Sequence, residues 1–595
     1  MNQNNPMTDH PSADDKKGYN RFLLLVAGLG GLLYGVDVGI ISGALPYLEA
    51  TSGLSAGQLS FIVAAVLLGS VISTLFAGAL ADLLGRKKVM AASGILFVIS
   101  IPMIALADGY GPLVFGRLLQ GISAGLIGVV IPLYLAECLG AANRGKGTGI
   151  FQWLLTLGIV AAAIIGFYYS HQVEEVAKLG DPDRLFAFKD KAWRSIFWVS
   201  LPPGILFVAG SLMVAESPRW LYRRGRLDAA RAALSRSRSA AQVDVELREM
   251  EEAIASERAS TSTTGERIRE SLLRRKYVIP FVLACVILAC NQATGVNSII
   301  GYNATILLQA GLDDRQAHLG YVILTTVNFL LTIVGVILVD RKGRKFLLSL
   351  GSAGIIVSLI CAGMMFHRTE KQRVDARDIV QSQVSTQQTL TLAFDQELLS
   401  RIGGEKAVKT PASLIVIYSY GDFRAATSVV RSDDALAKPI EIRRENCVPN
   451  NRVVAFFSNP FADVEAAQTA PLRIENALIT PVPTEQSGWL VAGFLFVFMA
   501  FFAIGPGVCV WLALSELMPT RIRSNGMSIA LLINQAVSTI IAATFLPTVG
   551  RYGYSTLFFL FAGCTVVYFI TAAFFLPETK GKTLEEIEEH FQGKR

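Results

Sequence analysis

Charge is scarce in this chain. Asp, Glu, Lys and Arg make up 17% of its 595 residues while 52% are hydrophobic, and the mean hydropathy is +0.46. A water-soluble protein of this length carries about a quarter charged residues, so the composition excludes an ordinary soluble domain. Cysteine is also sparse: of seven, Cys138, Cys285, Cys290, Cys361, Cys509 and Cys564 sit in or beside apolar runs, and only Cys447 stands in a polar segment. No disulfide framework can be built within the chain from one such residue. The five histidines are far apart and show no metal-ligand spacing, so no metal site is expected.

What is present is a series of long apolar windows. Crossing ~30 Å of hydrocarbon takes ~20 mostly apolar residues, and such windows fall near 21–45, 58–81, 88–107, 111–136, 147–168, 195–214, 277–309, 317–339, 346–366, 488–515, 525–547 and 553–577. Twelve membrane spans follow. The first window is too long, and its flank MNQNNPMTDHPSADDKKGYN too polar and acidic, for a cleaved signal peptide. Lys16, Lys17, Arg86–Lys88, Arg144, Lys146, Arg341–Lys345, Arg521 and Arg523 all fall on one side if both termini are cytoplasmic, whereas the loops 50–58 and 107–112 carry no Lys or Arg. The net charge of +7 follows from these inward loops and carries no nucleic-acid reading.

The two halves repeat one another. GALADLLGRKK (78–88) recurs as VILVDRKGRK (336–345), matching Asp82 with Asp340 and Arg86 with Arg344. Glu137 and Arg144 follow the fourth span with the same spacing of seven as Glu516 and Arg523 after the tenth. Glu216 in AESPRWL closes the sixth span, as Glu578 in LPETKGKTLEEIE closes the twelfth. These ten charges are read as a conformational latch, Asp and Glu at span ends facing Arg across the bundle, able to break and re-form as two halves rock. Asp82 to Glu137 is 55 residues but Asp340 to Glu516 is 176, which locates an insertion of 121 residues, essentially 367–487.

These motifs, with RGKGTG (144–149), resemble the sugar porter family of the major facilitator superfamily, which includes a bacterial xylose/proton symporter and the animal hexose facilitators. The resemblance implies an all-α membrane protein with two pseudo-symmetric six-helix bundles around a central cavity, working by alternating access. The expected organisation is a cytoplasmic tail (1–20), a first bundle (21–214), a cytoplasmic helical linker (215–276), spans seven to nine (277–366), an exterior inserted domain (367–487), spans ten to twelve (488–577) and a cytoplasmic tail (578–595). The linker carries 14 basic and 10 acidic residues over 216–276, as a solvated helical segment does.

Sugars present hydroxyls that donate and accept, so their sites use neutral amides and an aromatic face. Amides inside apolar spans are costly unless used. Gln152 (fifth span), Asn291, Gln292 and Asn297 (seventh), Asn328 (eighth), Trp511 (tenth), and Asn534 with Gln535 (eleventh) form the candidate set. The resemblance matches Gln152, Gln292, Asn297, Asn328 and Trp511 to the family's sugar positions and adds Tyr302. Asn291 replaces a glutamine, Gly301 a tyrosine and Gln535 a tryptophan of the common pattern, so substrate identity is not carried over: pentoses, hexoses and cyclic polyols remain open. In the first span, GGLLYGVDVGIISGA places Asp37 near mid-membrane, and VFGRLLQG offers Arg117 as its partner. The family resemblance implies that these two handle a coupling proton, the only cofactor-like species expected. A facilitative uniporter and a non-transporting sugar sensor are the alternatives, and no catalytic set points to an enzyme.

The insert contains strand-like runs at 389–394, 413–420, 452–458 and 472–482, with helices expected near 396–402 and 422–436. An exterior partner for it is conceivable but unspecified by sequence. The protein is expected to act as a monomer in the cytoplasmic membrane.

Overall fold

A computed structural model describes residues 13–139, 141–262, 274–395, 398–399, 411–427, 429–433, 439–449, 455, 459, 461–519, 522–580, 586–587 and 590–591. Within these, the side chains of 13–16, 141–148, 253–262, 340, 511–515 and 523–525 lie outside the description. Eleven helical stretches among the described residues are long and apolar enough to cross a membrane. The last of them, Gly526–Phe575, has 50 residues, about 75 Å at 1.5 Å per residue and long enough to cross twice. It turns at Gly553, whose φ of +87° is open to glycine and strained for other residues. The spans therefore number twelve, as expected.

The helices are α1 (Ala13–Ser52), α2 (Ala56–Leu84), α3 (Arg86–Ala105), α4 (Tyr110–Cys138), α5 (Ala141–Ala177), α6 (Pro182–Trp198 and Leu201–Met213), α7 (Arg275–Ala293, Val296–Gly301 and Asn303–Gln309), α8 (Asp314–Lys342), α9 (Arg344–Glu370), α10 (Glu485–Ile504 and Pro506–Leu517), and α11 and α12 before and after Gly553. Local chemistry sets their ends. Ser55 and Gln58 make a capping box at the start of α2, and Asp313 and Gln316 repeat it at the start of α8. Single glycines, Gly85 at φ +99° and Gly343 at φ +89°, reverse the chain between α2 and α3 and between α8 and α9. Pro202 and Pro203 coincide with the break inside α6.

Packing repeats with a period of six helices. α1 lies on α5 and α2 on α4, as α7 lies on α11 and α8 on α10. The α1–α5 contact is glycine-lined: a Cβ at Gly158 would come within 2.9 Å of the Val36 nitrogen, so only glycine fits there. The halves meet through α2 with α11 and α5 with α8.

Several boundaries move. Residues 13–20, assigned to the tail, are already helical; α9 runs on to Glu370 and α10 starts at Glu485; α6 begins at Pro182 rather than near 195. Between α9 and α10 the chain forms β1 (Val374–Asp375), β2 (Leu390–Leu392), β3 (Ala412–Tyr420), β4 (Phe423–Ala426), β5 (Val430–Arg431), β6 (Ile440–Ile442) and β7 (Leu472–Pro481). β1, β7, β3 and β4 form an antiparallel sheet in that order, β5 also pairs with β3, and β2 pairs with β6. The helix expected over 422–436 is instead the strands β4 and β5. Gly421, at φ +60°, makes the two-residue turn that pairs Tyr420 with Phe423, a hairpin signal stronger than the helical propensity of FRAA. The expected strand 452–458 and helix 396–402 fall almost entirely outside the described residues.

β3 reads as a continuous apolar run because both its faces are covered. Leu414, Val416, Tyr418 and Tyr420 point into the insert's own core with Val380, Ile442 and Ile474. Ile415 and Ile417 point the other way and join the core of the helical bundle. β4 touches both α2 and the α11–α12 helix, so the insert sits over both halves at one end, hereafter the insert end.

Candidate functional site

The amides of α7 are displayed where that helix breaks. Gly295 adopts a left-handed conformation, φ +82°, between Ala293 and Val296. Around this break Gln292 accepts a bond from Asn297 Nδ2 at 2.9 Å and donates to Asn534 Oδ1 of α11 at 3.2 Å. Asn297 Nδ2 also donates to Ser538 Oγ at 2.8 Å, and Asn534 Nδ2 to the Leu288 carbonyl at 2.9 Å. Asn291 is buried and its Oδ1 has no partner among the described residues. Tyr302, fully buried, donates to the Ala542 carbonyl at 2.9 Å and stacks on Phe545 with centroids 4.3 Å apart. Gln292, Asn297 and Asn534 thus form one polar seam between α7 and α11, with Tyr302 farther along the same interface. Ser538 belongs to this seam and was missed by sequence reading, although it stands one helical turn after Asn534 in NQAVS.

The other candidates lie apart from this seam. Gln535 faces the Tyr34 hydroxyl of α1. Gln152 is half-buried on α5, beside Trp153, whose ring lies 5.4 Å from Phe329 of α8. α5 packs along α8, whose Asn328 is buried. The side chain of Trp511 lies outside the described part; its backbone is helical just after the Gly505 break.

Asp37 and Arg117 are brought together, loosely. Both are buried, 0% and 2% exposed, and one guanidinium nitrogen stands 3.5 Å from Asp37 Oδ1. The same nitrogen donates to Gln120 Oε1 at 2.7 Å, and the guanidinium lies over the Phe197 ring at 5.6 Å. Among the described residues, Asp37 Oδ2, Arg117 Nε and Gln120 Nε2 have no hydrogen-bond partner. A buried carboxylate with one long ion contact and one bare oxygen is poorly held in its charged form, which is the condition for exchanging a proton. Gln120, one turn along from Arg117, went unread as a possible competitor for the guanidinium.

At the end opposite the insert, the charged motifs close two matching networks. Arg86, 3% exposed, contacts Asp82 at 2.8 Å, Glu137 at 2.9 Å and the Ala81 carbonyl at 3.0 Å. Glu216 accepts the Arg86 and Lys87 amides at 2.9 and 3.1 Å, a carboxylate on the first turn of α3 where the helix dipole favours it. Ser217 donates to Glu137. Arg344 contacts Glu516 at 3.0 Å, Glu578 accepts the Arg344 and Lys345 amides at 3.0 and 3.2 Å, and Thr579 donates to Glu516 at 2.5 Å. Ser217 and Thr579 are equivalent partners that sequence reading passed over. The side chains of Arg144, Asp340 and Arg523 lie outside the described part. Among the described residues each network joins helices within one half, and none bridges the two halves.

Bridging contacts gather at the insert end. Ala304 donates to Ser42 Oγ at 3.2 Å, Tyr321 to the Gly39 carbonyl at 2.9 Å, and Leu546 to Ser60 Oγ at 3.0 Å. Arg315 reaches Glu174 at 3.5 Å.

Twelve spans in two repeated halves, with an Arg–carboxylate network in each half at one end, bridging contacts between the halves at the other and a buried polar seam inside the second half, define a multi-pass membrane transporter of the major facilitator type. The chain belongs to the family described as sugar (and other) transporter, which it matches over residues 23–383 and 476–591. The unmatched stretch between falls inside the insert. It is 27% identical over 588 residues to the proton myo-inositol cotransporter of Homo sapiens, covering 98% of this chain and 83% of that one. It is 26% identical to the glucose transporter GlcP of Staphylococcus epidermidis, covering 96% and 97%. An inward open structure of the xylose transporter XylE from E. coli shares the fold, with a TM-score of 0.62 at 20% identity over 95% of this chain and 98% of that one.

Proposed function

We propose that this transporter carries a monosaccharide or cyclic polyol into the cell by alternating access, coupled to protons through Asp37 and Arg117. The observation that carries the reading is the Asp37 carboxylate itself, fully buried, with one oxygen bare among the described residues and the other 3.5 Å from the Arg117 guanidinium. Relatives named for proton–inositol cotransport and for glucose transport support the substrate class and the coupling. Substrate is held by the amides of α5, α7, α8 and α11 with Trp511. Both termini are cytoplasmic, the insert is an exterior module, and the described conformation is closed at the insert end. The two Arg–carboxylate networks brace each half so that it moves as one body, opening a path between the halves on the cytoplasmic side. A facilitative uniporter is the competing reading, favoured only if Arg117 holds Asp37 permanently charged.

Gln292 sits at the centre of the α7–α11 seam, so Gln292→Ala is expected to weaken equilibrium binding of the transported sugar by about 1–3 kcal/mol. Calorimetry on the purified variant checks it; unchanged affinity would move the site elsewhere in the bundle. Excising 371–484 and joining the ends with a short flexible linker is expected to leave a monodisperse bundle that still binds sugar, because the insert has its own core. Loss of all binding in a well-folded deletion would instead make the insert part of the site.

A further inference from the structure

His318 lies on α8 near the insert end, outside every role assigned so far. Its ring is fully buried. Nδ1 stands 2.8 Å from the backbone carbonyl oxygen of Asp314, and Nε2 stands 3.2 Å from the backbone carbonyl oxygen of Gly43, on α1 in the other half. Carbonyl oxygens only accept, so each ring nitrogen must present a proton, and a neutral imidazole has one. The arrangement is satisfied by the imidazolium alone.

The surroundings suit that cation. The Asp314 carboxylate is 3.4 Å from Nδ1, and its other oxygen accepts the Tyr47 hydroxyl of α1 at 2.7 Å. Tyr47 stacks flat on the imidazole, centroids 5.5 Å apart and planes 4° apart. α5 meets the ring with Gly166, and farther along that helix Glu174 is contacted by His171, Lys178 and Arg315. Lys189 of α6 acts on Asp314. Glu49 of α1 is bonded to the Val429 backbone of the insert. Asp314 opens into a cavity of about 910 Å³ lined by Tyr47, Lys189, Asp313 and Arg431 of both halves and the insert, which gives the cluster a proton path to the medium on that side.

We infer that His318 is a second proton site of this transporter: when protonated at both ring nitrogens it ties α8 to the Gly43 carbonyl of α1 and holds the insert end shut, and when neutral it releases that tie. The inference rests on the alternating-access reading above but not on Asp37. The sign follows from the bonds. Loss of either proton sets a nitrogen lone pair against a carbonyl oxygen and takes the positive charge from beside Asp314, which keeps the Tyr47 hydroxyl. Acid on the insert side therefore favours the state closed there, and alkali favours opening.

The test uses the full-length protein in lipid nanodiscs, with spin labels on azide-bearing residues at Leu179 and Gln486, both exposed and in opposite halves near the insert end. The wild-type distance distribution is expected to lengthen as pH rises from 5 to 9. His318→Gln is expected to lose that pH response. Asp314→Asn, which keeps the backbone carbonyl but removes the counter-charge, is expected to lower the midpoint by about 1 to 3 pH units, and it gives a second readout should His318→Gln fail to fold. Asp37→Asn is expected to keep the response. The inference is overturned if the wild-type distances ignore pH, if His318→Gln or Asp314→Asn keeps the wild-type midpoint, or if Asp37→Asn abolishes the response. The last result would leave the coupling reading standing and His318 without a role; a wild-type distance that changes with neither pH nor substrate would count against alternating access as well.

Discussion

Asp37→Asn is expected to abolish accumulation of sugar against its gradient while leaving exchange of labelled for unlabelled sugar largely intact. The amide keeps the size of the carboxyl and much of its hydrogen bonding but cannot take up a proton. In the proposed symport each proton would bring the membrane potential into the cycle, ~2.3 kcal/mol per charge for each 100 mV, equivalent to about a 50-fold accumulation ratio per 100 mV. In the variant that ratio should fall to about 1. The site is suited to this because Asp37 is poorly held: Gln120 takes the guanidinium nitrogen at 2.7 Å that reaches Asp37 only at 3.5 Å. Accumulation ratios in energised vesicles, with exchange measured alongside, check it. A variant that still concentrates sugar would make Asp37 structural.

Arg86→Ala is expected to be the most destabilising of the charged-network substitutions, by about 3–5 kcal/mol, because it strands Glu137 without its cation. Glu137 is only 11% exposed and, among the described residues, would retain only the Ser217 hydroxyl. Arg86→Lys keeps the charge but cannot reach Asp82, Glu137 and the Ala81 carbonyl together, so an intermediate loss is expected. Glu137→Gln in the Arg86→Ala background should recover part of the stability, since the stranded charge is then gone. Melting temperatures in detergent check the series. If Arg86→Ala melts like the wild type, the network is ornamental, and its bracing of the first half is wrong.

The twelve spans, the repeat and the insertion were legible in sequence because each rests on a strong signal: unbroken apolar windows, or charges in fixed order. Asp82, Arg86, Glu137 and Glu216 do gather, as do Arg344, Glu516 and Glu578, and among the described residues their contacts lie within each half rather than across the two. One-dimensional order cannot tell those arrangements apart. Gln292, Asn297 and Asn534 meet because the αL glycine at 295 bends α7 toward α11, and TGVN announces that bend. Gln120 and His318 stayed unread for a different reason: their meaning comes from competition with Asp37 and from the Gly43 carbonyl, both on α1, which no spacing within α4 or α8 reveals. The helix expected over 422–436 failed because propensity was read past a Gly-Asp turn. β3 shows the opposite case, where an all-apolar run marked a strand covered on both faces.

Joint movement of sugar and protons is the core of the proposed cycle. It is read most directly as proton movement on addition of sugar to de-energised proteoliposomes, followed with a pH-sensitive dye across a panel of pentoses, hexoses and inositols. Each transported compound is expected to make the outside medium more alkaline, and Asp37→Asn is expected to remove this signal while labelled sugar still exchanges. Sugar flux in the wild type with no accompanying proton movement would contradict it and make the protein a uniporter.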